Sequence, residues 1–248
     1  MRKTISSGVL AALFAIGVHA GGDAWKTKPY TQWDEKDVAA VLQSSPWVKL
    51  NVALPGALSA ADATPDYNPG VSGPGSMPNR VASPAPAAPQ LGGGDSSTPQ
   101  AGAKTYNILW YSSRTIREAL ARRAVLKGVM TQDNAAKIVA ADPDSYQVLL
   151  SSSDMSVFEG RGEDAFKDAA FIELKKEKKK INATNVAFQR SSGKVVGVVF
   201  SFPKKDAEGQ PSISADEKEI DFSVRISGAW LRSGFNLKQM ADTQGQDL

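Results

Sequence analysis

Tyr106-Asn107-Ile108-Leu109-Trp110-Tyr111-Ser112-Ser113 is an apolar run that ends in serines, and forty residues later Tyr146-Gln147-Val148-Leu149-Leu150-Ser151-Ser152-Ser153 echoes it. Each copy reads as a buried strand feeding a helix start. After the first copy, Thr115 and Glu118 have capping-box spacing, Ile116, Leu120 and Ala124 form an apolar stripe, and Gly128 sits where a C-terminal cap belongs. A second helix over Gln132 to Ala141 ends before Pro143. The second copy leads into a weaker helical pattern up to Ala170. Two such units predict neighbouring strands, parallel across a right-handed crossover.

Beyond Ala170 the apolar period becomes two. Phe171 to Leu174, Val186 to Phe188, Val195 to Phe202, Ile220 to Ile226 and Trp230 to Leu237 read as strands. Polar turns such as Ser191-Ser192-Gly193 and Glu208-Gly209-Gln210-Pro211 separate them. The fold class is therefore α+β, two β-α units followed by an antiparallel β meander.

Toward the N-terminus, Thr31 is positioned to cap a helix that Asp34 and Glu35 favour, with Val38, Val41 and Leu42 on one face and Pro46 closing it. Val48, Leu50, Val52 and Leu54 then alternate with polar or small residues, the period of a half-buried strand. A helix this short is marginal alone in water, and a lone strand has nothing to pair with. Residues 21–54 are thus expected to dock on the same sheet as the core at 105–248. Between them, residues 55–104 are rich in Pro, Gly, Ala and Ser and poor in large apolar groups, which predicts a disordered insertion within one domain. Trp25, Trp33 and Trp47 fit either an exposed partner surface or burial against that core.

Residues 1–20 have the pattern of a cleaved export signal: Arg2 and Lys3, an apolar stretch from Val9 to Val18, then Val18-His19-Ala20. The expected product is exported, periplasmic or secreted, and not membrane-spanning, since no later stretch is apolar for long enough. Taking Arg2 and Lys3 from the 29 basic residues leaves 27 against 26 acidic ones. That balance disfavours nucleic acid as a partner. The only histidine, His19, goes with the signal, and the chain has no cysteine. Imidazole and thiol chemistry, disulfides and transition-metal sites lose their usual residues, and no cofactor is expected.

The strand-to-helix junctions offer free amide donors and positive potential. Ser112, Ser113, Arg114 and Arg117 cluster at the first, and Ser152 with Asp154 at the second. If the two strands are neighbours, both junctions share one sheet edge. An anion could be bound there, or a hydrolase could pair Asp154 with Arg114 or Arg117. The alternative is that the serines are helix caps and the arginines are paired with nearby acids. Ser201-Phe202-Pro203-Lys204 and Ser191-Ser192-Gly193-Lys194 fit Ser-x-x-Lys spacing, yet neither opens a helix. The run Lys175 to Lys180 reads as a solvated strand end that discourages aggregation.

The segments Trp33-Asp34-Glu35-Lys36-Asp37-Val38, Ser45-Pro46-Trp47, Leu109-Trp110-Tyr111-Ser112-Ser113, Arg117-Glu118-Ala119 and Phe235-Asn236-Leu237-Lys238-Gln239-Met240 resemble a family of uncharacterised exported bacterial proteins. The resemblance spans both sides of the insertion and brings no known activity or site residue. The expected role is a non-catalytic binding or assembly module whose partner is an envelope protein or an anionic ligand.

Overall fold

In order along the chain lie α1 (Ala24–Thr27), α2 (Glu35–Ser44), β1 (Val48–Ala53), β2 (Thr105–Trp110), α3 (Arg114–Leu126), α4 (Gln132–Ala140), β3 (Ser145–Ser151), β4 (Ala170–Leu174), β5 (Lys180–Asn182), β6 (Asn185–Ser191), β7 (Lys194–Pro203), β8 (Glu219–Ile226), β9 (Ala229–Asn236), β10 (Ala241–Asp242) and β11 (Gly245–Gln246). This computed structural model describes residues 23–55 and 104–248. The expected signal at 1–20 and the expected insertion, apart from its end residues Pro55 and Lys104, lie outside the described residues. The class is α+β as expected, with every strand pair antiparallel.

Strand alternation builds the core. In β2, Tyr106, Ile108 and Trp110 are buried while Thr105, Asn107 and Leu109 are half-buried, and β3 repeats this with Tyr146, Val148 and Leu150. They belong to a five-stranded sheet in the order β1-β2-β3-β7-β6. A four-stranded sheet, β5-β4-β8-β9, faces it. Phe200 and Phe202 of β7 meet Phe222 of β8 at ring-centroid distances of 5.7 and 6.2 Å, and Trp110 of β2 meets Phe235 of β9 at 5.5 Å. The inner faces thus interdigitate as in a sandwich, each fully buried aromatic contributing roughly 1.5–3 kcal/mol. The predicted meander is therefore divided: β6 and β7 extend the first sheet, β4, β5, β8 and β9 make the second, and β10 and β11 pair on their own. Two of its hairpins, β6-β7 and β8-β9, turn on Ser192-Gly193 and Ser227-Gly228, with φ of 49° and 81° and of 49° and 89°. Two consecutive positive φ angles are what a two-residue loop needs to match strand twist.

The first two long strands are neighbours, but they run antiparallel, with Trp110 opposite Val148 and Asn107 opposite Ser151. The reason is the even number of helices between them. α3 leaves the end of β2, α4 returns, and β3 starts where β2 stopped. α2 enters β1 at that same end, because Val48 lies opposite Leu109. All three longer helices are joined to one end of the sandwich. After β3 the weak helical pattern yields only short 3-10 turns, Ser156–Phe158 and Glu163–Ala169, pinned by contacts among Phe158, Phe166 and Phe188.

Residues N-terminal to the insertion join this core directly. β1 pairs with β2, and the Leu54 amide donates to the Lys104 carbonyl at 2.9 Å, so the two ends of the insertion meet. A bulge at Leu50-Asn51 interrupts the alternation: Asn51 has φ 55°, its amide donates to Asn107 Oδ1 at 3.0 Å, and Leu50 is 40% exposed. α2 is capped by Asp34 and not by Thr31, which lies in a short turn at Tyr30–Gln32. The Asp34 carboxylate accepts from the Lys36 and Asp37 amides, and Asp37 accepts from the Asp34 amide, a reciprocal box. Among the described residues no helix is long and apolar enough to cross a membrane.

Candidate functional site

Ser113, not Thr115, opens α3, its Oγ accepting from the Ile116 amide at 3.2 Å. The next two amides, free by helix geometry, are taken by a residue more than 130 positions away. Arg114 N donates to Asp247 Oδ1 at 2.6 Å and Thr115 N donates to Asp247 Oδ2 at 2.8 Å. Positive potential at a helix start favours such a carboxylate. The Arg114 guanidinium binds Asp242, and its Nη1 donates to Gln244 Oε1 at 2.7 Å. Trp47 Nε1 donates to the Asp247 carbonyl at 2.7 Å. At this junction Ser113 is a helix cap and Arg114 pairs with an acid, the alternative reading of these residues, and the remaining amides are occupied by Asp247 of the chain's own C-terminal segment.

Arg117 does a different job. It is half-buried and spans from the Ser112 carbonyl to those of Ile138 and Val139 at the end of α4 and of Ala141 just beyond it. Cations suit a helix C-terminus, and here one ties α4 to the β2-α3 turn. Glu118, one turn of α3 beyond Arg114, has its pKa pushed up to about 7, chiefly by burial, with Arg114 opposing and Asp242 and Asp247 adding to it.

The second junction stands apart. Ser112 lies beyond the end of β2, whereas Ser152 Oγ donates to the carbonyl of Thr105 at the start of β2, 2.7 Å away. At the ordinary rise of a strand that places the two junctions about 20 Å apart. The expectation of one shared edge is thus overturned by the antiparallel register, and with it the pairing of Asp154 with Arg114 or Arg117. Asp154 instead accepts from Lys104 Nζ and the Ser156 amide, both at 2.9 Å, and contacts with Ser156 and Lys104 hold its carboxyl well below the usual range. Ser112 Oγ accepts from the Gln147 amide at 3.0 Å, so it is a buried tie between strand ends.

The three tryptophans are core. Trp25, Trp33 and Trp47 are 6%, 1% and 0% exposed, which corrects the partner-surface assignment. Trp25 packs edge-on against Trp47 at 5.8 Å, and Trp33 Nε1 donates to the Lys28 carbonyl. Lys204 pairs with Asp142, away from any serine nucleophile role. In the lysine run, Lys175 pairs with Asp221, Lys176 with Asp216 and Lys179 with Asp206. Among the described residues no cluster of three acidic, His or Cys side chains is close enough to hold a metal ion.

Sequence reasoning missed a cleft. At the end of α2 and the start of β1, a cavity of about 620 Å³ is lined by Asp23, Trp25, Lys26, Gln43, Ser44, Ser45, Pro46, Val48, Lys49, Lys238 and Gln239. Lys26, Lys49 and Lys238 face a single acid, Asp23, so the lining carries a net charge of +2. Burial lowers the pKa of Lys49, whose Nζ lies 5.5 Å from the Phe235 ring. Trp25 Nε1 and Ser45 Oγ, buried in the wall, have no hydrogen-bond partner. These residues come from three separate stretches of chain, so no motif spacing could announce them. Compared with family models, curated proteins and solved structures, the chain finds no match.

Proposed function

We propose that this chain is an exported bacterial envelope protein, periplasmic or secreted, that acts as a non-catalytic binding or assembly module, in line with the family it resembles. The observation that supports this reading best is the internal use of its reactive-looking groups: the α3 amides hold Asp247, Arg114 holds Asp242, and Arg117 holds the carbonyls of α4. Groups so committed are unavailable to a substrate without dismantling a fold contact, which suits a scaffold better than a turnover site.

Two measurements test the proposal together. Full-length chain expressed in a Gram-negative host is expected in the periplasm or medium, with mass spectrometry placing its first residue at Gly21. Uncleaved chain confined to the cytoplasm contradicts export. Purified 21–248, immobilised and washed with envelope extract, is expected to retain a saturable protein or anionic component. An empty column contradicts the binding role.

A further inference from the structure

In the cleft beside α2, two of the three lining lysines, Lys49 and Lys238, have no ion-pair partner among the described residues. Asp23, the one acid in its lining, pairs with Lys26 at 3.4 Å at the rim, where both side chains are about half exposed. Lys49 is half-buried, its ammonium 5.5 Å from the Phe235 ring and without an ion-pair partner among the described residues. An ammonium held in reduced contact with water is costly unless paired. Lys238 is exposed at the mouth. The wall supplied by Gln43 and Ser44 is the C-terminal end of α2, where helix geometry leaves carbonyl acceptors free, whereas the Ser45 carbonyl accepts from the Val48 amide; Gln43 and Gln239 add side-chain amides. Lysines at the mouth and acceptors along the wall ask for a ligand with a negative group and several hydroxyls. The volume falls in the range of small-molecule sites.

We infer that this cleft binds a small hydroxylated anion, a phosphate or carboxylate carried on a sugar-sized body, with Lys49 and Lys238 on the anionic group and the end of α2 on the hydroxyls. The inference deepens the binding-module reading by naming a ligand chemistry for it. Trp25 and Ser45, both lining residues, each carry a buried polar atom, Nε1 and Oγ, without a hydrogen-bond partner.

Calorimetric titration of purified 21–248 with glucose 6-phosphate, glucuronate and glucose tests it, the two anions separating phosphate from carboxylate preference. At least one anion is expected to bind saturably and to weaken with added salt, while glucose does not bind. Lys49→Gln is expected to weaken that binding about tenfold or more, the loss of one charge-assisted contact, and Lys49→Arg to retain most of it. If Lys49→Gln does not fold by circular dichroism, Lys238→Gln at the exposed mouth carries the same expectation. Lys204→Gln, paired elsewhere with Asp142, is expected to leave binding unchanged. Binding of neither anion, equal binding of glucose, or affinity undiminished in both Lys49→Gln and Lys238→Gln overturns the inference. An envelope component still captured when neither anion binds defeats this cleft alone and leaves the binding-module reading in place.

Discussion

At the start of α3, two backbone amides and an arginine meet the carboxylates of Asp247 and Asp242. At the end of α2, Lys49 and Lys238 line a cleft whose one acid is already engaged by Lys26. Both regions gather positive potential at the same end of the sandwich, and they are joined through Trp47, which packs on Trp25 in the cleft wall and donates to the Asp247 carbonyl. The first is a site closed by its own chain and so a source of stability. The second leaves charge unmatched, which costs stability and keeps a place for a ligand. A basic cluster is therefore informative only once the positions of the acids are known.

The shared strut is the most damaging place to cut. Trp47→Ala is expected to lose about 3–5 kcal/mol, the usual range for deleting a fully buried large aromatic, as read by urea denaturation; a loss under about 1 kcal/mol would separate the two regions and break the comparison. The pH profile sharpens it. Glu118 has a folded pKa of about 7 against an ordinary 4.5, so the folded chain keeps a proton that the unfolded chain releases. Its contribution is fully present below about pH 4.5 and is lost as pH rises toward 7. Glu118→Gln is expected to flatten that part of the stability profile and to stabilise the chain at pH 8. An unchanged slope from thermal melts across pH 4.5 to 8 would mean that the α3 start is wetter than its packing indicates. Ser113→Ala removes one cap while Asp247 still holds two amides, and is expected to cost about 1 kcal/mol by the same denaturation assay. A much larger loss would shift the weight of this site from Asp247 to Ser113.

The local grammar of the chain was readable in advance, and its long-range partners were not. Period-two alternation in Tyr106 to Trp110 marked a strand that does form, because a half-buried sheet demands that pattern wherever it sits, and the apolar run Val195 to Phe202 marked β7, a strand buried without interruption from Val198 to Phe202. Ser113 rightly pointed to a helix start, which it caps. What the pattern lacked was any sign that Asp247 would arrive from across the chain, since tertiary contacts between positions 114 and 247 leave no periodic trace. The direction of β3 failed for a related reason: whether α3 and α4 act as one crossover or as a returning pair depends on how they pack, and both give the same strand pattern. Leu50 was misplaced because a bulge adds one residue and inverts the faces after it. The cleft was invisible because Trp25, Ser45, Lys49 and Lys238 share no spacing.

Equilibrium denaturation of Asp247→Ala beside Lys49→Gln at pH 7 tests the contrast most directly. Removing Asp247 strands two amides at the α3 start and is expected to cost about 2–4 kcal/mol, whereas removing the Lys49 charge is expected to leave stability unchanged or slightly raised. Equal destabilisation by the two substitutions, or none by Asp247→Ala, would contradict the account.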